Sequence, residues 1–292
     1  MSPPILRRAA VLAAVLGPLA ACGGLPSFGP EGGGRCLPVD EAIRAAHGDR
    51  DLARNAARLA DPRFCVRVAT VADGADRWTL VGITDTSRAG PLWVVPHDDE
   101  DAGFDAALGG LARYGGTLVA VEAREQRMQR GRDPNRIFGS GVCGRGGPAA
   151  PAYTRAMLAA RDRRFPIVAV HTNEPHGGTV SMRAPFAGAT AFPATAAPAA
   201  GPRRDDDTLV ILAGPRPPAD DDAARGTIAW FNTRGANVLY ETVGGRGDCS
   251  LSNHAVLSGL GRTYTVEAAD GDERSASALV DLVMQHAGVG AR

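Results

Sequence analysis

Short apolar runs that alternate with helical stretches are the feature that most restricts the fold of this chain. The runs at 92–95, 167–170 and 209–213 consist entirely of apolar residues, without the polar–apolar alternation of a half-exposed strand. Such runs are typical of strands that helices cover on both faces of a sheet. We therefore predict a three-layer α/β/α sandwich with a mixed, largely parallel sheet.

The rest of the pattern supplies the other elements of this sandwich. Residues 185–206 are rich in Pro and Ala and show no periodicity, which predicts a long loop or insertion. Apolar residues at helical spacing predict helices at 39–60, 102–114 and 276–286, and over part of 226–240. Further strands are predicted at 64–71, 78–83, 117–121 and 263–266.

The N-terminus has the pattern of an export signal. Arg7 and Arg8 precede an apolar segment, 9–16, that is too short to span a bilayer. Small residues then precede Cys22, as in a bacterial lipobox, where the cysteine is acylated. We predict a lipoprotein signal peptide at 1–21, a flexible tether at 22–35 and one catalytic domain at 36–292.

This pattern places the protein in the bacterial cell envelope, anchored to a membrane through a lipid on Cys22, facing the periplasm or on the outer membrane. An ordinary secretory signal with an incidental cysteine is the alternative. The complete chain has 32 basic and 32 acidic residues. Because nucleic-acid binding requires a basic face, we predict no nucleic-acid partner.

The four remaining cysteines are Cys36, Cys65, Cys143 and Cys249. An even number of cysteines in an exported chain predicts two disulfides, although the sequence allows three pairings. We favour Cys36–Cys65 with Cys143–Cys249, and buried free thiols are the alternative.

Polar residues that follow three of the predicted strands indicate a metal site. His97 and Glu100 come after the run at 92–95, and His171 comes directly after 167–170. Two imidazoles and one carboxylate leave a fourth zinc position open for chemistry. Glu267 ends the strand at 263–266 and is placed to act as the general base. The alternative for Glu100 and its acidic neighbours is a solvated helix start.

In these motifs the chain resembles the zinc carboxypeptidase superfamily, including its succinylglutamate desuccinylase/aspartoacylase-like branch. The resemblance implies that Zn²⁺ binds to His97, Glu100 and His171, and that Glu267 in Thr-Val-Glu is catalytic. The family's Asp-x-Asn-Arg-x-Phe motif is present as Asp133, Asn135, Arg136 and Phe138.

By the same resemblance, Asn135 and Arg136 bind a carboxylate of the substrate, which suits the forked guanidinium group of arginine. A simple turn is the alternative for this segment. A further arginine is expected upstream. Arg127 is the candidate and is also a predicted substrate-binding residue, and three other arginines compete with it: Arg124, Arg130 and Arg132.

Other residues have less defined roles. His176 is predicted to contact the substrate or to support a ligand. Tyr240 and Tyr264 are the candidates for a tyrosine that closes over the substrate.

Together these observations predict a cell-envelope zinc hydrolase that cleaves a peptide or amide bond next to a carboxylate-bearing residue. Its substrate would be a peptide or an N-acyl amino acid with a free carboxylate. The alternative is a non-catalytic envelope lipoprotein that binds a peptide or a protein partner on the same scaffold. A third hypothesis is a thiol enzyme that uses Cys143 with a histidine.

Overall fold

The computed structural model describes residues 28–29, 34–143, 147–173, 180–196, 202, 205–245 and 247–292. The predicted signal peptide, Cys22 and His176 lie outside these residues. No helix among the described residues is long and apolar enough to cross a membrane.

Nine strands of the described chain form one sheet. Their order across the sheet is first-second-fourth-third-fifth-ninth-seventh-eighth-sixth. In chain order the strands are β1 (Phe64–Asp73), β2 (Asp76–Asp85), β3 (Leu92–Val95), β4 (Thr117–Glu122), β5 (Ile167–Asn173), β6 (Ala189–Phe192), β7 (Leu209–Gly214), β8 (Asn237–Thr242) and β9 (Thr263–Ala269).

The sheet is mixed, as predicted. Strands β4, β3, β5 and β9 run parallel in its centre, and β7 pairs with β8 in parallel. The other adjacent pairs, β1–β2, β2–β4, β7–β9 and β6–β8, are antiparallel. Parallel pairing is thus concentrated where the apolar runs predicted strands buried on both faces.

Helices cover both faces of this sheet. In chain order they are α1 (Val39–Ala45), α2 (Arg50–Arg54), α3 (Ala56–Leu59), α4 (Asp101–Tyr114), α5 (Pro151–Leu158), α6 (Asp222–Asn232), α7 (Leu251–Leu257) and α8 (Glu273–Ala287).

Two apolar clusters show how the central strands separate the layers. Trp93 and Val95 of β3 belong to the cluster that contains side chains of α4 and α8. Leu92 and Val94 alternate to the other face and pack in the cluster that contains side chains of α5. The predicted α/β/α sandwich is therefore confirmed, because a strand of four buried residues has side chains in both layers.

Most predicted elements are present, with three corrections. The predicted helix at 39–60 is three short helices, because Asp49 caps a new helix start at α2. The stretch 226–240 changes from helix to strand, since α6 ends at Asn232 and β8 begins at Asn237. The predicted loop at 185–206 contains the edge strand β6, which pairs with β8.

Within the predicted tether, Phe28 packs on the sheet. It is 1% exposed, and its backbone carbonyl accepts hydrogen bonds from Thr84 and Arg67. A Cβ atom added to Gly82 of β2 would lie 2.1 Å from the Phe28 ring, so glycine is required for this contact.

Both predicted disulfides are present. Cys36–Cys65 joins the segment before α1 to β1, and Cys143–Cys249 joins two segments that are 106 residues apart. Cross-links of this kind restrict the unfolded chain, more so for the longer loop.

Two neighbouring glycines in α4 provide a test of the packing between helix and sheet. A Cβ on Gly110 would lie 2.8 Å from the Trp93 ring, whereas a Cβ on Gly109 would meet only the ends of two arginine side chains. We expect Gly110→Ala to lower the free energy of unfolding by about 1–3 kcal/mol, because the ring cannot move in a close-packed core. Gly109→Ala, the matched control, should raise it by up to about 1 kcal/mol through helix propensity.

Urea denaturation with the disulfides intact measures both effects. Equal changes in the two variants would contradict the close approach of α4 to Trp93.

Candidate metal centre

The strand order brings the predicted metal-binding residues to one edge of the sheet. Strands β3, β5 and β9 are adjacent and parallel, so their carboxyl ends lie side by side. His97 follows β3. His171 lies two residues before the end of β5, and Glu267 is directly opposite His171 on β9. Ligands of open α/β sheets bind at this edge, outside the carboxyl ends of the strands.

His97, Glu100 and His171 converge on a single point. The Nδ1 atom of His97 lies 2.7 Å from Oε1 of Glu100, and Nδ1 of His171 lies 3.0 Å from Oε2. The two Nδ1 atoms are 3.3 Å apart. Tetrahedral zinc with bonds of about 2.0–2.1 Å separates its ligand atoms by about 3.3 Å. The donor set and its spacing therefore fit a zinc ion, with one coordination position left open.

A carboxylate orients the first of these histidines. Oδ1 of Asp133 lies 2.9 Å from Nε2 of His97 and therefore leaves Nδ1 to face Glu100. Carboxylates that hold the outer nitrogen of a metal-binding imidazole set its tautomer and raise its basicity. His171 has a weaker contact, 3.5 Å from Nε2 to the Asn135 amide nitrogen. The sequence motif contained Asp133, but this orienting contact is visible only in the structure.

The local chain geometry explains why Glu100 can serve as a ligand. Glu100 is the residue before α4, and its side chain makes no capping hydrogen bond to the helix. The acidic start of the helix was the alternative for this segment, and Asp101 does lie in the first turn. Glu100 is 3% exposed, however, so it is not part of a solvated face.

Charges in this centre depend strongly on one another. Burial opposes ionisation of Glu100, but the two imidazoles outweigh it and lower the pKa of that carboxyl. Burial likewise opposes a charge on His97, but Glu100 and Asp133 raise its pKa to about 9. Burial lowers the pKa of His171. A positive charge on His97 and the negative charge on Glu100 thus stabilise each other.

Glu267 lies beside the centre as an unpaired carboxyl group. It is 5% exposed, and no hydrogen bond joins its side chain to another of the described residues. Burial, followed by repulsion from Glu100, raises its pKa to about 8. A carboxyl group in this state can hold a proton near neutral pH and release it again.

His97, His171 and Glu267 line a cavity of about 760 Å³, a volume that includes open space at its mouth. Its polar wall is formed by His97, Arg127, Asn135, Arg136, His171 and Glu267, and its apolar wall by Val180, Phe186, Ile211 and Leu251.

Asn135 and Arg136 lie in a short 3₁₀ turn, Pro134–Arg136, that Asp133 caps by accepting a hydrogen bond from the Asn135 backbone. The segment is therefore a turn, and it also forms part of the cavity wall. The Asn135 side chain accepts a hydrogen bond from the Leu251 backbone. The Arg136 guanidinium is partly exposed and pairs with Asp248 at 3.3 Å.

Among the competing arginines, the structure places Arg127 in the cavity. Its guanidinium donates a hydrogen bond to Oε1 of Glu100 at 2.6 Å. Arg132 instead binds Asp76 and a backbone carbonyl, and Arg124 and Arg130 are exposed outside the cavity wall.

Two other expectations do not lead to this cavity, and a third falls outside the described part of the chain. His176 lies outside the described residues. The Tyr240 hydroxyl donates a hydrogen bond to the Arg216 carbonyl, and Tyr264 pairs with His286, so neither faces the centre. Cys143 is in a disulfide, which excludes the thiol-enzyme hypothesis in this state of the protein.

The sequence analysis missed the part of the cavity that β8 and the start of α7 provide. Glu241 of β8 lines the cavity and accepts hydrogen bonds from Asn253 and Ser252. The apolar run 238–240 after Gly235 was a signal for this strand. Ser250 was a signal for the helix, because it is a favoured cap and accepts from the Asn253 backbone.

No family model and no curated protein matches this chain. Solved structures with a similar backbone include a protein from Shewanella amazonensis, provisionally described as a metallopeptidase. It is 16% identical, with a TM-score of 0.41, and the match covers 85% of this chain and 93% of that one. A protein of the same description from Shewanella baltica is 13% identical, with a TM-score of 0.43 and coverages of 87% and 92%. An aspartoacylase family protein from Mesorhizobium loti is 16% identical, with a TM-score of 0.43 and coverages of 80% and 69%. These similarities are too distant to assign the chain to a family.

Proposed function

We propose that this protein is a zinc-dependent hydrolase that cleaves a peptide or amide bond next to a carboxylate-bearing residue. The observation that carries the proposal is the convergence of His97, Glu100 and His171 beside a cavity that Glu267 and two arginines also line. The ordered sequence motifs that resemble the zinc carboxypeptidase superfamily support the same reaction class.

His97, Glu100 and His171 would hold the zinc ion, with Asp133 orienting His97. Zinc bound there would polarise the scissile carbonyl and activate water for attack. Burial of all three ligands excludes bulk water and strengthens each electrostatic interaction in the centre. The ligand set is therefore suited to catalysis, because three protein ligands leave a position free.

Glu267 is the proposed proton carrier. Its carboxylate takes a proton from the attacking water and delivers it to the leaving nitrogen of the amide. The absence of hydrogen-bond partners among the described residues leaves its oxygens free to accept that proton. Its position opposite His171 on the neighbouring strand keeps it beside the centre.

Asn135, Arg136 and Arg127 would recognise the carboxylate of the substrate. The two guanidinium groups face the cavity and offer forked donors, and the Asn135 amide nitrogen adds another. The apolar wall that contains Phe186 and Ile211 would accept the non-polar part of the substrate. Both a short peptide and an N-acyl amino acid meet these requirements.

We also propose that the protein acts in the bacterial cell envelope, anchored by a lipid on Cys22. Two disulfides support an oxidising compartment, since such bonds are rare in the cytosol. Mass spectrometry of the native N-terminus tests this location, and an unmodified residue upstream of Cys22 in the mature protein would contradict it.

A matched pair of histidine variants tests the metal. Protein purified without chelators should hold about one zinc ion per chain. His97→Asn should lose most of this zinc because it removes a ligand, whereas His47→Asn, in an exposed turn with φ 57°, should retain it. Elemental analysis of the folded variants measures the content. Equal zinc content in both variants, or no zinc in the wild type, would count against the site.

A glutamate variant tests the proton carrier. We expect Glu267→Gln to lower kcat by about 10²–10⁴-fold while the zinc content stays unchanged, because the amide cannot accept the proton. The assay follows the release of free amine from dipeptides and N-acetyl amino acids. Glu125→Gln, outside the cavity wall, is the matched control and should keep wild-type activity. Failure of zinc-loaded wild type to cleave either substrate class would refute the proposed reaction.

An arginine variant tests recognition of the carboxylate. The wild type should prefer a free acid over the corresponding carboxamide. Arg136→Ala should reduce this preference by about 10–100-fold, because the variant lacks the charge-assisted hydrogen bonds of the guanidinium. Arg130→Ala, at an exposed arginine outside the cavity wall, is the control. The ratio of kcat/KM for the two substrates measures the preference, and an unchanged ratio in Arg136→Ala would rule out this role.

A further inference from the structure

We propose that Asp49, Asp98 and Glu122 form a second metal site, which binds a hard divalent cation such as Ca²⁺ or Mg²⁺. One carboxylate oxygen from each residue lies within 4.8 Å of the others. This group shares no residue with the candidate zinc ligands, and it is named the carboxylate site below.

The fold brings these three residues together from distant parts of the chain. Asp98 follows β3, and Glu122 is the last residue of β4, which is the parallel neighbour of β3. Asp49 precedes α2 and caps it. All three side chains are buried, with exposures of 6%, 5% and 4% for Asp49, Asp98 and Glu122. Three acidic groups are thus removed from water at one point, which costs free energy unless something compensates the charge.

Backbone groups hold each carboxylate in place through one of its oxygens. The bonds are Leu52 N–H to Asp49 Oδ1 at 2.8 Å, Ala123 N–H and Glu125 N–H to Asp98 Oδ2 at 2.9 and 2.6 Å, and Arg124 N–H to Glu122 Oε1 at 2.8 Å.

The second oxygen of Glu122 is the observation that points to a ligand. Its Oε2 atom is buried and accepts no hydrogen bond from a nitrogen or hydroxyl donor of the described residues, although Oε1 of the same group is bonded to the backbone. The Glu122 carboxyl lies within hydrogen-bonding reach of the Asp49 carboxyl, so it faces the carboxylate site. A buried acceptor without a donor is costly, and a bound cation would remove that cost.

No arginine or histidine among the described residues forms an ion pair with these three carboxylates. The nearby arginines are committed elsewhere: Arg50 pairs with Glu125, and Arg54 pairs with Asp51, Asp101 and Asp105. The competing explanation is a proton shared between Asp49 and Glu122, because burial raises the pKa of both carboxyls. A shared proton would still leave the rest of the negative charge without a counterion.

The ligand chemistry selects the class of ion. Carboxylate oxygens suit Ca²⁺ and Mg²⁺, whereas zinc favours the nitrogen donors of the first centre. Because Ca²⁺ binds oxygen at about 2.3–2.6 Å, oxygens up to about 5 Å apart can contact one ion. A cation here would join α2 and β4 to the loop between β3 and α4. That loop also carries His97 and Glu100, so the ion would restrict the motion of two of the proposed zinc ligands.

Calorimetric titration of the zinc-loaded full chain with CaCl₂ or MgCl₂ tests the carboxylate site, after dialysis against metal-free buffer to which only zinc has been returned. We expect one ion to bind per chain, and Tm to rise by about 5 °C at a hundredfold excess over Kd. NaCl at equal ionic strength should not produce this rise. The readout requires no catalytic activity, so failure of the proposed hydrolase would not imitate failure of this site.

Matched variants locate the ion. Glu122→Gln and Asp49→Asn should abolish the titration signal and the Tm rise, whereas Glu125→Gln, which removes a neighbouring partly exposed carboxylate, should keep both. A signal that persists in both Glu122→Gln and Asp49→Asn would place the ion elsewhere. Absence of binding by the wild type would overturn the proposal in favour of the shared proton, and it can be observed even where a variant fails to fold.

Discussion

The parallel alignment of β3, β5 and β9 is the constraint on which the candidate metal centre depends. Three adjacent strands that run in the same direction end at the same edge of the sheet, where His97 follows β3 and His171 and Glu267 lie near the ends of β5 and β9. His97 and His171 come from sites 74 residues apart in the chain, yet their Nδ1 atoms are 3.3 Å apart. A different strand order would separate the ligands from Glu267, even with the sequence motifs unchanged.

Buried charge is the second constraint on this edge. Glu100 is ionised in a buried position because two imidazoles and Arg127 surround it. At the end of β4, Glu122 is buried without comparable positive charge among the described residues. This edge of the sheet thus carries one buried carboxylate, Glu100, with cationic partners and another, Glu122, without them. Loss of hydration is therefore compensated for Glu100 and not for Glu122.

Much of the framework could be predicted because its signals are local. The strand at 92–95 and the helix that became α4 follow from apolar runs and helical spacing, and the presence of two disulfides follows from the number of cysteines. The predictions failed where tertiary context decides. β6 is a short edge strand of partly exposed residues, and β8 begins only five residues after α6 ends. Neither has a periodicity strong enough to be distinguished from a loop or a continued helix.

The sequence by itself determined which residues are candidates for chemistry, because imidazoles and carboxylates after buried strands can be recognised from residue type and order. Only the tertiary structure decided which of them meet. It placed Arg127 rather than Arg132 in the cavity. It also brought Asp133 within hydrogen-bonding distance of His97, and Asp49 close to Asp98 and Glu122. The physical reason is that strand order and helix packing set distances of a few ångströms between residues far apart in the chain, and no local pattern encodes such distances.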